Sequence, residues 1–297
     1  MNTHINNILV PTDFTEISLT AIEQAMTLAK SANLEITLLY VREDTKKSAL
    51  FSFLPSEQTE KLREDYINHT REKVEELAAK ATKKYGIKVN AMVSKGKGYD
   101  KIVEVADMIN ASFIIMPLNS GKHENDKNYF GANTSKVIRN SKHPVITLKS
   151  KKLIKEIKTI ILPLDLQKET RQKVTKAVEI AKVYGSTIKI VSALLTEDPE
   201  VVNRIKVQLE QVNQFLAKNE VPHTAEIVYG DNKKDELADL ILKYAKDAKG
   251  DLIMVMTQEE YFWVNSFVGK TATKILYKSS IPVMSINPIE MEITRIK

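Results

Sequence analysis

Ile8-Leu9-Val10-Pro11-Thr12-Asp13 decides the reading of this chain, because Ile160-Ile161-Leu162-Pro163-Leu164-Asp165 repeats its pattern at an offset of 152 residues from Asp13 to Asp165. Each stretch is a short apolar run closed by a proline and, two residues on, an acid. That is the pattern of a buried strand running into a turn. A second echo closes each half. Gly131 through His143-Pro144-Val145 reads like Gly269 through Ile281-Pro282-Val283, at an offset of 138 from Gly131 to Gly269. Self-similarity on this scale marks one domain written twice. The 297 residues suit two domains of ordinary size, residues 1–150 and 151–297, divided near the polar cluster Ser150-Lys151-Lys152-Leu153. No Gly/Ser-rich tether lies there, so the halves are expected to pack together rather than swing freely.

Within each half, strands alternate with helices. In the first, Ile8–Pro11, Glu35–Val41, Lys88–Val93, Phe113–Met116 and Val145–Leu148 read as strands. Leu19, Ile22, Met26 and Ala29 recur at helical spacing after Pro11, with Thr15 or Ser18 as the cap. A long helical face carries Leu62, Tyr66, Thr70, Val74, Leu77 and Ala81, and Gly86 stands where a helix C-terminal glycine is expected. A further helix begins near Gly131. The second half repeats the order with strands Ile160–Pro163, Thr187–Ser192, Ala225–Val228, Leu252–Val255 and Val283–Ile286. This alternation predicts an α/β fold of two doubly wound domains, each with a five-stranded parallel sheet sandwiched by helices. The terminal strands Val145–Leu148 and Val283–Ile286 are the expected pairing edges between the halves.

Composition narrows the function classes. A hydrophobic share of 43% and a charged share of 28% are those of a soluble globular protein. No apolar run approaches the length of a membrane span, and Met1-Asn2-Thr3-His4-Ile5-Asn6 lacks the pattern of a secretory signal, so a cytoplasmic location is expected. With no cysteine, thiol catalysis and cysteine-ligated metal sites are excluded. The net charge of +6 is spread as lysines among glutamates along helices, the pattern of a solvated face, so neither nucleic acid nor membrane is expected as a partner. The five histidines, His4, His69, His123, His143 and His223, form no ligand spacing, and no metal site is expected.

Ile-Leu-Val-Pro-Thr-Asp at 8–13, Phe-Gly-Ala-Asn-Thr-Ser-Lys-Val-Ile at 130–138 and His-Pro-Val at 143–145 carry a resemblance to the universal stress protein family in its tandem two-domain form; Gly230 and Asp251-Leu252-Ile253 support it in the second half. The resemblance covers about residues 4–150 and 155–288. It implies an adenine nucleotide alpha hydrolase-like fold and a non-enzymatic stress-response role through protein association, with partners that the sequence does not name. It also implies dimerisation, and hence a homodimer of the whole chain beside the pairing of its halves. Many members bind ATP through a loop spelled Gly-x2-Gly-x9-Gly-(Ser/Thr). Glycines there let the backbone approach phosphate, and a helix N-terminus supplies free N–H groups.

The first half resembles that loop in part. Gly121 and Gly131 match the second and third glycines, Leu118 replaces the first, and Ala132 replaces the Ser/Thr, with Asn133 and Thr134 following as potential donors. Family resemblance places the base near Pro11, Thr12, Asp13 and Val41. It therefore implies a degenerate ATP or AMP site in this half. In the second half Met256 and Glu259 take the first two glycine positions, and Ala193 replaces the counterpart of Val41. A carboxylate facing phosphate is repulsive by about 1 kcal/mol or more, so no nucleotide is expected there.

Other features admit two readings. Asp13 and Asp165 sit at strand ends, where a carboxylate either meets a ligand or fixes the turn. Gly269-Lys270-Thr271 ends like a P-loop, but Val264 stands where that motif needs glycine. The aromatic stretch Tyr261-Phe262-Trp263 either plugs the vacated cleft or forms a contact or apolar-ligand surface. No nucleophile–base trio follows from spacing, so no catalytic residue is assigned. Weak ATP hydrolysis in the first half and carriage of a small apolar ligand in the second are the rival functions.

Overall fold

The computed structural model describes residues 6–43, 56–119, 131–149, 153–165, 170–231, 234–257 and 270–288, with only the backbone of 56–63 and 170. The first half runs β1 (Asn7–Thr12), α1 (Glu16–Ala32), β2 (Glu35–Arg42), α2 (Ser56–Tyr85), β3 (Val89–Lys95), α3 (Gly98–Met108), β4 (Phe113–Pro117), α4 (Ala132–Asn140) and β5 (Val145–Leu148). The second half repeats it: β6 (Thr159–Pro163), α5 (Thr170–Tyr184), β7 (Thr187–Leu194), α6 (Pro199–Lys218), β8 (His223–Tyr229), α7 (Leu237–Asp247), β9 (Leu252–Met256), α8 (Lys270–Lys278) and β10 (Val283–Ile286). The boundary drawn between residues 150 and 151 falls outside the described residues.

The strands form one sheet in the order β3-β2-β1-β4-β5-β10-β9-β6-β7-β8. Pairing is parallel within each half and antiparallel only where β10 meets β5, with Met284 opposite Ile146. The two expected edge strands thus pair with each other. Because β5 and β10 run in opposite directions, the carboxyl ends of the two half-sheets point to opposite ends of the molecule.

Alternation along the strands sends side chains to two faces. Ile8, Val10, Ile36 and Leu38 of the first half, and Ile160, Leu162, Ile188 and Ile190 of the second, join residues of α1, α2, α5 and α6 in a single core that crosses the junction. On the opposite face there are two cores. One gathers Leu9, Leu39 and Ile114 beneath α3 and α4, the other Ile161, Val191 and Ile253 beneath α7 and α8. The helix signals act as read. Thr15 is the N-cap of α1, accepting from Ser18 N. Gly86, at φ 72°, takes the left-handed turn after α2 and donates to the Thr82 carbonyl.

Polar contacts lock the halves in register. Buried Gln24 on α1 donates to the Ile154 carbonyl and accepts from the Ile154 N–H, both at 2.8 Å. Just past β10, Asn287 donates to the carbonyls of Ile138 and Ser141 at 2.7 Å each, capping α4 of the other half, and accepts from Thr257. Lys149, just past β5, answers by donating to the Tyr277 carbonyl at the end of α8. Replacing Gln24 by Met would keep the volume but leave both Ile154 groups without their partner. Urea unfolding is expected to show a loss of about 1–3 kcal/mol.

Candidate functional site

In a doubly wound sheet a crevice opens where neighbouring strands send their connections to opposite faces, beyond the carboxyl ends. In the first half that point lies between β1 and β4. Their ladder pairs Ile8 with Phe113 and Leu9 with Ile114, while β1 stays paired with β2 through Thr12. Residues 10–12 therefore border an opening toward β4. Pro11 and Thr12 line it as buried residues and Asp13 stands exposed at its rim. Val41 is partly buried and packs against the core that includes Leu9, Leu39 and Val137.

The turn after β1 is tightly determined. Thr12 Oγ1 accepts from Phe14 N at 3.1 Å and shares a 3.2 Å hydrogen bond with Ser18 Oγ. Asp13 Oδ1 accepts from Thr15 N at 3.0 Å and from Thr15 Oγ1 at 2.5 Å. One carboxylate oxygen of Asp13 thus holds the turn that starts α1, the second of the two roles its position allowed. Phe14 is held at φ 61°, a left-handed conformation that bulky residues avoid, and such strain gathers at functional sites.

Phe14 also anchors an aromatic group that sequence reasoning missed. Its ring stacks on Tyr40 at 5.2 Å with 26° between planes, and Lys73 Nζ lies 4.4 Å from its centroid. Tyr40 OH and Tyr66 OH are 3.2 Å apart. Burial chiefly, then the hydrogen bond and charge of Tyr66 and the charge of Asp13, push the Tyr40 hydroxyl up to about 12, with Arg42 opposing. The only sequence signal was Tyr66 on the α2 face pattern; nothing linked it to Tyr40.

The start of α4 is pinned to the end of β4. Gly131 N donates to the Leu118 carbonyl at 3.1 Å, and Thr134 Oγ1 donates to the Pro117 carbonyl at 3.0 Å. A Cβ on Gly131 would lie 3.2 Å from that Leu118 oxygen and 3.3 Å from Thr134 Oγ1, so glycine permits the close approach. Gly131 is the N-cap, and among the described residues no side chain caps the helix. Thr134 is turned inward, whereas Ala132 and Asn133 are exposed. The Asn133 side chain lies against Gly98, where a Cβ would come within 2.6 Å of Nδ2, so α3 and α4 begin side by side. Leu118, at the position of the loop's first glycine, is buried. Gly121 lies outside the described residues, as do Glu259 and the Tyr261-Phe262-Trp263 stretch.

The second half has a matching opening, since β6 and β9 pair only at Ile160–Leu252 and Ile161–Ile253. Its surroundings differ. Lys173 is buried and donates to the Pro163 carbonyl at 2.6 Å; at the repeat offset of 152 its counterpart is Ala21. Glu236, preceding α7, and Asp239 bind Lys274 of α8, and Asp239 also binds Lys278 at 2.7 Å. In the first half the residue preceding α3 is Lys97, and the counterpart of Lys274 is Lys136, which lies over the Tyr99 ring at 4.3 Å. A Glu–Lys pair in one half is thus two lysines in the other. His143 Nε2 meets Asp107 Oδ1 at 3.0 Å. Among the described residues no helix is long and apolar enough to cross a membrane.

The sequence profile of the Universal stress protein family matches twice, at residues 4–149 and 156–287. Two universal stress proteins of Methanocaldococcus jannaschii are similar to parts of the chain. One is 27% identical over 145 residues, which are 49% of this chain and 82% of the relative. The other is 29% identical over 161 residues, 51% of this chain and 99% of the relative. The crystal structure of a universal stress protein from Archaeoglobus fulgidus superposes with a TM-score of 0.77 at 19% identity, covering 96% of this chain and 100% of that one. At that identity the likeness is one of fold.

The Tyr40 environment makes a pH-dependent prediction. Its hydroxyl ionises near 10.0 when solvated and near 12 when folded, so the folded state holds the proton more tightly. The stability this contributes is complete below pH 10 and is lost as pH rises toward 12. Tyr40→Phe is expected to flatten the fall in unfolding free energy across that window, read from urea midpoints at stepped pH.

Proposed function

The chain belongs to the universal stress protein family, and from that premise we propose a stress-response protein that acts in the cytoplasm by associating with other proteins, regulated by ATP or AMP in its first half. The observation that carries the reading is the crevice between β1 and β4, with the start of α4, which no described side chain caps, fixed to its β4 side through Gly131. A helix start without a side-chain cap offers N–H donors and a positive dipole end to phosphate. Lys97 and Lys136 add positive charge beside it, where the second half is internally neutralised. Pro11, Thr12, Asp13 and Val41 would hold the base and sugar. Gly121, Gly131, Ala132 and Asn133 would face the phosphates, with Thr134 holding the helix start. The second half takes no nucleotide in this reading.

The proposed role requires no turnover. Hydrolysis is the rival, and phosphate release measured beside binding separates the two. Association with a second whole chain belongs to the same proposal. It would use a surface other than β5 and β10, which occupy each other.

Calorimetric titration with ATP is expected to show one saturable site per chain. Asp13→Ala should weaken it roughly tenfold, equivalent to about 1.4 kcal/mol. Gly131→Glu, which sets a carboxylate at the helix start, should weaken it at least as much. Unchanged affinity in both variants would remove the site assignment. Sedimentation of the chain with and without ATP reads the association.

A further inference from the structure

We propose that Tyr40 and Tyr66 form an oxidative cross-linking site, at which a one-electron oxidant joins the two rings by an ortho carbon–carbon bond and ties α2 to β2. Two phenols hydrogen-bonded at 3.2 Å bring their reactive edges together, because the ortho carbons adjoin the bonded hydroxyls. The two rings play different parts. Tyr66 is 53% exposed on α2 and open to an oxidant. Tyr40 is half-buried on β2 and fixed by its stack on Phe14 at 5.2 Å. One ring is therefore held by its stack while the other lies against it in reach of solvent. Tyrosines elsewhere have different surroundings: the Tyr244 hydroxyl donates to Glu226, and Tyr99 lies beneath Lys136.

The chemistry balances with a peroxide as terminal oxidant, acting through a haem peroxidase. Each phenol loses one electron and its hydroxyl proton. The two ring radicals couple at ortho carbons, and the ring hydrogens there shift to oxygen, restoring both phenols. The two electrons and two protons reduce one hydrogen peroxide to two waters. The charged groups acting on Tyr40 are Asp13 and Arg42, and Lys73 lies against the Phe14 ring beneath the stack. The product would be a covalent link between residues 26 positions apart, beside the crevice but independent of any ligand in it.

The test treats the full-length chain with a haem peroxidase and limiting hydrogen peroxide. The readouts are dityrosine fluorescence and the mass of digested peptides. The expected product is a Tyr40–Tyr66 linked peptide lighter by two hydrogen atoms. Its yield per chain should hold over a roughly hundredfold dilution, as an intramolecular reaction requires. Tyr40→Phe and Tyr66→Phe, each removing one hydroxyl, should both abolish that peptide while leaving other tyrosines to react. Unfolding in urea before treatment should abolish it too. The proposal is overturned if no linked peptide forms, if its yield falls in proportion to dilution, or if fluorescence persists undiminished in both variants.

Discussion

The antiparallel ladder between β5 and β10 is the contact on which the rest of the structure depends. Each half ends in a short strand that would otherwise expose a row of backbone donors and acceptors, and each satisfies the other's. Joining them makes one sheet of ten strands and lets apolar side chains of both halves meet in one core beneath α1, α2, α5 and α6. The flanking caps follow from the same geometry. A residue just past the end of either strand arrives at the C-terminus of the other half's last helix, where free carbonyls await a donor. Asn287 fills that role for α4 and Lys149 for α8.

Against this shared frame the two crevices have diverged. Both arise from the same early parting of strands, β1 from β4 and β6 from β9. The side chains around them differ in charge and packing. The first has a strained Phe14, an aspartate that fixes a turn, and lysines beside adjacent helix starts. The second has a buried lysine on the Pro163 carbonyl and acid–base pairs across α7 and α8. Surface ion pairs contribute little stability, so that arrangement matters more for the potential at the helix starts than for folding.

Much of the architecture was legible in the sequence, and the reasons are local. Ile8 to Pro11 and Ile160 to Pro163 are buried on both faces, so they read as continuous apolar runs. Val145–Leu148 and Val283–Ile286 matched to the residue, each lying between a proline and the polar residue that follows its strand. Strand ends elsewhere ran longer than read. β7 reaches Leu194 and β8 reaches Tyr229, since ladder pairing with a neighbour continues past the apolar run. Near the site, the start of α4 at Gly131 could be read from spacing, whereas spacing left Asp13 between a ligand contact and the turn contact it makes. The inward turn of Thr134, the ring stack on Phe14 and the Tyr40–Tyr66 contact could not be read. They depend on a left-handed residue and on helices meeting strands far away in sequence, which leave no periodic trace.

Two identical subunits related by a two-fold axis must present the same surface twice. A duplicated chain built around an equivalent axis is released from that rule, because each copy mutates alone. Here the strand directions place the two crevices at opposite poles, and the poles no longer match. The molecule therefore has a head and a tail, in fixed one-to-one ratio and set by covalent linkage, and whatever docks at one pole meets a surface the other does not offer.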